Sequence, residues 1–447
     1  MLCRCPSIEG HAIGVLMMRL VHLCAAVCLV SPVSATNAVA QGIVPEKLTL
    51  EDAVRLATER HPAIAAAQNE VEIAQADRVT ATRRLNPAFT LSSDSYPLFE
   101  SPRPSFGNGQ ELVARVDQEV ELTGRRRLRT SAADASIAVA EFRAMDQVRQ
   151  LALEVRRVYY QVVLAKADLD VATGALGEID RVIELNRARA GLGEISGAEL
   201  RRLQVERLRF VDDVFASQLS LRNARAALLT WMNIPDLATS FDVVETLQTS
   251  GAAALPGRVE ETLNGQALRA QALDARPDVL AARREVARAD TETQLQRALR
   301  TPNVTVGGGY KRDFGTNAVV LAMTVPLPLF NRNPGGVARA EAERGRAQNQ
   351  HDATTLGAAL DVQQAINTLD VDRQRVQYIE REYLSNARES RDITLASYRL
   401  GAATLIDFLD AQRAFRDTTR TYNRALYDLR VSQFQLAAAV GDPTLQP

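Results

Sequence analysis

Residues 398–410, which read YRLGAATLIDFLD, contain a glycine turn within a stretch that is otherwise rich in helix-forming residues. No proline occurs over 335–442, and Gly401 lies inside that span. Because proline breaks helices, the span can form two very long helices joined by one turn. Residues 105–234 also lack proline, and there the turn is expected at 190–200, which read AGLGEISGAEL.

The two turns belong to an internal duplication of the chain. Pro62 and Pro277 lie 215 positions apart, and Gly193 and Gly401 lie 208 positions apart. The difference in spacing falls between these landmarks, where hairpins are expected. Each half then reads helix, helix, strand, strand, long helix, turn, helix, and this period is far too long for a solenoid.

Apolar residues in the first long stretch recur at steps of three and four, which is the seam of a coiled coil. They are Val148, Leu151, Val155, Val158, Val162, Ala165, Leu169, Ala172, Leu176, Ile179 and Ile183. The second half has a weaker seam, because Val376, Ile379 and Tyr383 continue it but Asn386 and Ser390 fall on it. The heptads alone fit a structural coiled coil equally well.

Four segments alternate apolar and polar residues, and we predict strands at about 88–100, 110–122, 303–315 and 317–329. Each has the length and the two-faced pattern of a tilted transmembrane strand. A half-buried strand of a soluble protein has the same pattern. Four strands cannot close a barrel of useful bore, so three chains are expected to supply twelve. The glycines of 307–309 indicate a strand whose backbone packs closely against a neighbour.

The N-terminal residues have the pattern of a secretory signal, since Arg19 precedes an apolar run that small residues follow. We predict a signal peptide over 1–35, with cleavage after residue 40 as the alternative. Repeat one then covers 36–266 and repeat two covers 267–447. All four cysteines lie in the first 28 residues, so the mature chain is expected to have none.

Composition and motifs exclude several classes of function. A formal net charge of −1 does not fit a nucleic-acid-binding protein, which would carry a basic excess. The sequence contains no nucleophile elbow, P-loop, zinc-protease or dinucleotide motif. His61 and His351 have no ligand-spaced partners. We therefore predict no enzyme activity, no catalytic residue, no cofactor and no bound metal.

The stretch at 398–411 resembles the outer-membrane factor family of TolC-like efflux ducts, and the likeness extends from Leu50 to Pro443. The resemblance implies a mainly α-helical protein with a membrane β part. Long antiparallel coiled-coil helices would form a periplasmic tunnel, and four strands per protomer would contribute to a trimeric twelve-stranded barrel. In that family two aspartates ring the tunnel mouth, and Asp407 and Asp410 occupy their positions. Residues three apart share one face of a helix, and a carboxylate ring favours cations.

The resemblance also implies a latch at the turns. In the family a tyrosine, an acidic residue and an arginine hold the mouth closed, and Tyr398 and Glu199 match the first two. An alanine stands two residues after Gly401, where the family has the arginine. Arg399 and Arg202 are the alternatives for that role.

Five turn residues are expected to form the tips that dock a periplasmic adaptor protein. They are Gly191, Gly193, Leu400, Gly401 and Thr404. The other implied partners are two further copies of the chain in a homotrimer, an inner-membrane pump of the RND type and outer-membrane lipid. No nucleic-acid partner is expected.

Two further segments resemble the heavy-metal-efflux branch of the family: 325–335, VPLPLFNRNPG, and 121–127, ELTGRRR. The implied protein is an outer-membrane channel of a tripartite efflux system that passively conducts heavy-metal cations or small toxic molecules. The alternative is a periplasmic coiled-coil adaptor or scaffold without a channel. An adaptor should also show a lipoyl-like β domain and a single helical hairpin, which the duplicated plan does not.

Overall fold

A computed structural model of the protein describes residues 44–95, 99, 110–247 and 264–442. The predicted signal peptide, whether it ends at residue 35 or 40, lies outside the described residues. Most of the segment between the first two predicted strands also lies outside them, as do residues 248–263 of the predicted linker.

Each half of the chain contains the predicted order of elements, which confirms the fold class and the internal duplication. The first half contains β1 (Lys47–Leu48), α1 (Leu50–Arg60), α2 (Pro62–Thr82), β2 (Ala88–Asp94), β3 (Glu111–Val120), α3 (Arg125–Gly191), α4 (Gly197–Trp231) and β4 (Asp242–Val243). The second half contains α5 (Gly265–Ala275), α6 (Pro277–Ala298), β5 (Val304–Asp313), β6 (Thr316–Thr324), α7 (Pro334–Tyr378), a π-helical segment (Ile379–Leu384), α8 (Ser385–Arg399) and α9 (Leu405–Val440).

The starts of the first helices follow from local chemistry. The Thr49 side chain accepts a hydrogen bond from the Asp52 amide at 3.1 Å, which satisfies one of the free N–H groups at the start of α1. Pro62 and Pro277 are the first residues of α2 and α6, where the missing N–H of proline does no harm.

The coiled-coil seam of the first half lies on α3, a single helix of 67 residues. Eight of its eleven predicted positions are buried, and Val148, Leu169 and Leu176 are partly buried. Among the described residues, no helix is both long enough and apolar enough to cross a membrane.

The weaker seam of the second half is interrupted by the π-helical segment, called here the π segment. The prediction that Tyr383 lies on the seam is wrong, because this residue is 51% exposed. A π-helical turn contains one residue more than an α-helical turn, so the inward face moves forward by one position. At steps of three and four, Leu384, Ala387, Arg391, Thr394 and Tyr398 are half-buried or buried. Asn386 and Ser390 therefore face outward.

The four predicted strands form one antiparallel sheet in the order β2-β3-β5-β6. Within it, a Cβ atom at Gly309 would overlap the Ala114 carbonyl oxygen of β3, which explains the glycine there. The strand expected at 317–329 ends at Thr324, because Pro326 and Pro328 cannot donate ladder hydrogen bonds.

One face of this sheet is apolar and exposed on all four strands. The register aligns Phe89 with Val116, Val116 with Gly308, and Gly308 with Leu321. Neighbouring positions on this face are Leu91, Ala114, Val306, Tyr310, Val319 and Met323. Phe89 is 69% exposed and Leu321 is 85% exposed. The opposite face carries polar residues such as Arg115 and Asp117, which form an ion pair at 2.9 Å.

Candidate functional site: the two helical tips

The two long helices end in the same backbone motif. At the end of α3, the Gly193 amide donates to the Ala190 carbonyl at 3.1 Å and the Glu194 amide donates to the Arg189 carbonyl at 2.9 Å. Gly193 has φ of 78°. This pair of bonds around a left-handed residue is the Schellman motif, which satisfies the free carbonyls of the last turn.

The tip of repeat two has the same bonds 208 positions later. The Gly401 amide donates to the Tyr398 carbonyl at 3.1 Å, and the Ala402 amide donates to the Ser397 carbonyl at 2.8 Å. Gly401 has φ of 76°. Glycine adopts this conformation without the steric penalty that a Cβ atom brings, so the two glycines allow both helices to reverse direction.

The returning helices also begin alike. The Ser196 side chain accepts from the Glu199 amide at 3.2 Å, and the Thr404 side chain accepts from the Asp407 amide at 3.2 Å. At the second tip the Asp407 carboxylate also accepts from the Thr404 amide at 2.9 Å, which completes a capping box. Thr404 is thus the cap of α9.

Asp407 has an exposed carboxylate, and one of its two oxygens accepts the hydrogen bonds of the helix cap. Its Oδ2 atom accepts from the hydroxyl of Thr404 at 2.7 Å as well as from the amide. The two hydrogen bonds lower the pKa of Asp407, since they favour the charged form. The carboxylate is therefore charged at neutral pH, and its other oxygen is open to solvent or to an ion.

Asp410 lies one turn further along α9 on the same exposed face. Its Oδ1 accepts from Arg413 at 3.0 Å, and 65% of its side chain is exposed. The position 208 residues earlier, on α4, is Arg202, which is also exposed. At this position the duplicated tips therefore carry opposite charges.

Tyr398 is buried beneath the second tip. Its ring stacks on Phe408 with the centroids 5.9 Å apart, and its hydroxyl oxygen accepts from the Asn186 side-chain amide at 2.6 Å. Burial raises the pKa of the tyrosine above its ordinary value, so the hydroxyl is neutral at physiological pH. The hydrogen bond connects the last turns of α3 and α8.

An arginine from repeat one lies at the tip of repeat two. Arg189 donates to the Tyr398 carbonyl at 3.4 Å and to the Arg399 carbonyl, and its Nε atom lies 3.9 Å from a carboxylate oxygen of Glu194. Glu199 is half-buried in the first turn of α4, and no hydrogen bond joins it to Tyr398 among the described residues.

The remaining predicted tip residues occupy the turns themselves. Gly191 is the last residue of α3, and Leu400 caps α8 with 85% of its side chain exposed. Leu192, the counterpart of Leu400 in repeat one, is 77% exposed. Arg399 and Arg202 are both exposed.

A shared apolar core holds the two tips together. It contains residues from all four helices that end or begin there: Ala175, Ile179, Val182, Ile183, Leu203, Phe210, Tyr398, Leu405, Phe408 and Leu409. Sequence reasoning missed the two polar members of this junction, Asn186 and Arg189. Asn186 is only 1% exposed, and a buried amide needs a hydrogen-bond partner, but this burial is visible only in the structure.

No described residues form a cluster of histidine, cysteine, aspartate and glutamate side chains that could hold a metal ion. The arrangement at the tips is instead a pair of reversing helical hairpins, with the exposed carboxylates of Asp407 and Asp410 on one face of α9 at the second tip. Such an arrangement suits a passage or a docking surface.

A family model described as outer membrane efflux protein matches the sequence in two segments, at residues 53–233 and 268–442. This chain belongs to the outer membrane efflux protein family. The two matched segments fall on the two halves of the duplication, so each half corresponds to one copy of the family unit.

Several relatives of this outer membrane efflux protein are known. The cobalt-zinc-cadmium resistance protein CzcC of Cupriavidus metallidurans is 27% identical over 372 residues, which cover 82% of this chain and 83% of CzcC. The outer membrane protein VceC of Vibrio cholerae has a TM-score of 0.70 at 20% identity, covering 88% of this chain and 96% of VceC. CusC has a TM-score of 0.72 at 17% identity, covering 88% and 92%.

The two solved structures confirm the TolC-like fold, and the family model together with the likeness to CzcC supports a position near the metal-efflux branch. The protein is the outer-membrane channel of a tripartite efflux system, with its helical part in the periplasm, rather than an adaptor or scaffold. The relatives named here are outer-membrane and resistance proteins, and none bears the name of an enzyme.

Proposed function

We propose that the chain assembles as a homotrimer, in which three four-stranded sheets close a twelve-stranded barrel in the outer membrane. The observation that carries this proposal is the exposed apolar face of the sheet. A large exposed apolar surface marks a contact with lipid or protein, and strands with one apolar and one polar face suit a barrel with lipid outside and water inside.

Repeat boundaries at 36–266 and 267–447, and a signal peptide over 1–35, belong to the same proposal.

The edges of the sheet and of the helical wall support closure by other copies. β2 and β6 pair on one side only within the described residues. In the helical part, α4 packs on α3, whereas α7 packs on α6 and α9. Both edge helices expose apolar residues: Val205, Leu208, Phe215 and Leu219 on α4, and Leu356, Leu360, Val371 and Tyr378 on α7. If the α4 edge of one copy packs on the α7 edge of the next, the contact joins two different surfaces. Such a contact produces a closed ring when the rotation between neighbouring copies adds up to a full turn.

The first test is the native mass of the protein extracted in detergent from a purified outer-membrane fraction. A mass three times that of the mature chain is expected. A stable monomer or dimer in the same fraction would contradict the twelve-stranded arrangement.

The tips provide the proposed mouth and docking surface. Asp407 and Asp410 share an exposed face of α9, and three chains would bring six carboxylates to the opening, which favours cations. The exposed Leu192 and Leu400 side chains are the apolar contacts offered to a periplasmic adaptor, and through it to an inner-membrane pump of the RND type. Tyr398 and Glu199 remain the proposed latch residues, and Arg189 is the arginine that contacts this junction.

Single-channel recording tests the carboxylate ring. We expect the double variant Asp407→Ala/Asp410→Ala to lose block by a multivalent cation such as hexamminecobalt. The control is Asp417→Ala, which removes an exposed carboxylate further along α9. Block that persists in the double variant would remove these two aspartates from the mouth.

Metal cations are the proposed substrates, since CzcC is named for cobalt, zinc and cadmium resistance. A strain without the protein should become more sensitive to one of these ions, and the intact gene should restore growth. Sensitivity to small toxic organic molecules with unchanged metal tolerance would favour the second substrate class instead.

A further inference from the structure

An open hollow of about 620 Å³ lies at the junction of helices and sheet in repeat two. It is bounded by the residues that follow α6 and by the turn that leads from β6 into α7. Its lining residues are Arg300, Thr301, Pro302, Pro328, Leu329, Phe330, Arg332 and Pro334. Two of these are cationic and none is acidic.

The two cationic groups of the hollow are largely free. The Arg300 guanidinium makes no hydrogen bond or ion pair with the described residues, and Arg332 donates only its Nε atom, to the Pro328 carbonyl at 3.2 Å. By contrast, the nearby Arg297 is paired with Glu341 at 2.8 Å. Two unneutralised guanidinium groups at one hollow attract an anion, and a guanidinium matches phosphate geometry particularly well.

Apolar side chains border the same hollow. Phe330 is fully exposed and Leu329 is 70% exposed, and Leu327, just before the lining residues in the chain, is 73% exposed. These residues follow β6 in the sequence. The hollow therefore lies beside the end of the strand whose exposed face is apolar. Aromatic side chains at such a boundary are typical of the interface between a bilayer and water.

Repeat one has a hollow at the equivalent junction, with a volume of about 940 Å³. Arg84, Arg126 and Arg127 line it. Of its acidic residues, Glu121 pairs with Arg129 and Asp134 pairs with Arg78, which leaves the charge of Glu119, an acceptor from Asn303 at 2.7 Å, outnumbered by these arginines. A free cationic surface thus occurs at the helix–sheet junction of both repeats, although the two sequences there differ.

We propose that the hollow of repeat two binds the phosphate headgroup of an anionic phospholipid of the outer membrane. Arg300 and Arg332 would contact the phosphate, while Leu329 and Phe330 would enter the region of the acyl chains. The inference rests on the proposed embedding of the sheet in the membrane. It adds a lipid site that fixes the depth of the channel, because basic groups beside a membrane surface gain favourable energy from anionic lipids.

A bilayer lipid fits the site better than free phosphate. A soluble anion would use the guanidinium groups but would leave Phe330 and Leu329 exposed to water. A phospholipid engages both parts at once, since its charged phosphate and its apolar chains are joined in one molecule.

Native mass spectrometry of the detergent-extracted full-length protein tests the site, with dioleoylphosphatidylglycerol as the anionic probe and dioleoylphosphatidylcholine as the zwitterionic one. Arg300→Gln/Arg332→Gln should weaken retention of the anionic lipid roughly thirtyfold, because each basic group near the surface contributes about fivefold. Phosphatidylcholine retention should not change. The matched control, Arg222→Gln/Arg388→Gln, removes two exposed arginines from helices α4 and α8 and should retain the anionic lipid fully.

Two further measurements separate the explanations. If excess inorganic phosphate stabilises the wild-type protein against heat as much as the anionic lipid does, and Phe330→Ser changes neither effect, the site is a phosphate site and the lipid assignment is wrong. Unchanged lipid retention in the Arg300/Arg332 variant also overturns it. Conductance of the same preparation in a planar bilayer shows whether the channel itself is intact, so a failed lipid site is distinguishable from a failed channel.

Discussion

The side-chain nitrogen of Asn186 lies 2.6 Å from the hydroxyl oxygen of Tyr398, although the two residues are 212 positions apart in the chain. Both side chains are buried, and the oxygen of the Asn186 amide has no partner among the described residues. The contact therefore ties the end of the long helix of repeat one to the end of the long helix of repeat two through a single amide nitrogen.

Tyr398→Phe should loosen both tips. The change removes the acceptor of a buried donor, and a buried group left without a partner costs about 1–3 kcal/mol. Hydrogen exchange of the amides near 183–190 and 394–400 should become faster. Tyr383→Phe is the matched control, because that hydroxyl is exposed and contacts only Tyr378. Equal exchange in the two variants would show that the contact does not stabilise the tips.

Gly193→Ala should destabilise the first tip, whereas Gly191→Ala should not. Neither position has an atom within 4 Å of the added Cβ, so crowding is the same at both. Gly193 has φ of 78°, where a Cβ atom costs about 1–2 kcal/mol, but Gly191 is helical. Denaturant unfolding of the two variants side by side measures the difference. A larger loss for Gly191→Ala would contradict the backbone argument.

Asp407→Asn should weaken the start of α9 at neutral pH, because the charged carboxylate accepts the two Thr404 hydrogen bonds. The folded pKa lies below the ordinary value of about 4. The stabilisation is thus complete above the ordinary value and is lost as the pH falls through the lower folded value. The difference in melting temperature between wild type and variant should shrink on acidification. Asp410→Asn removes a charge from the same helix without a cap bond, and a matching pH-dependent loss there would refute the assignment to the cap.

Deleting Glu382 should be tolerated, whereas deleting Asp370 should not. The π segment holds one residue more than an α-helical turn, so loss of Glu382 can convert it to regular helix without rotating α8. Loss of Asp370 rotates every later residue of the hairpin by about 100° and turns Tyr398 away from Asn186. The measurement is the yield of folded protein in the outer-membrane fraction, which should be near the wild-type value for the Glu382 deletion and much lower for the Asp370 deletion. Equal losses would indicate that the π segment has a role beyond accommodating the extra residue.

The turns and strands were predictable because their determinants are local. Gly193 and Gly401 are needed at positive φ whatever surrounds them, and proline limits where helices can run. The alternation at 110–122 specifies a strand with two unlike faces, whether lipid or protein covers the apolar one. These signals required no knowledge of distant contacts.

The features that escaped prediction depend on contacts across the duplication. Nothing within 379–384 marks a π-helical turn, and only the polar residues Asn386 and Ser390 on the expected seam indicated a change of phase. Asn186 reads as an ordinary polar residue until Tyr398 is placed beside it. Arg189 contacts carbonyl groups of the other repeat, and no spacing in the sequence joins them.

The π segment occurs in one repeat, while the matching helix α3 of the other is regular throughout its length. In the proposed trimer, bulged and regular walls would alternate around the axis. Bulges are the places where a helix bends most readily. The helical wall would then bend at three places rather than six. Its periplasmic end would open by movement of three separate segments, with the regular helices between them staying in place.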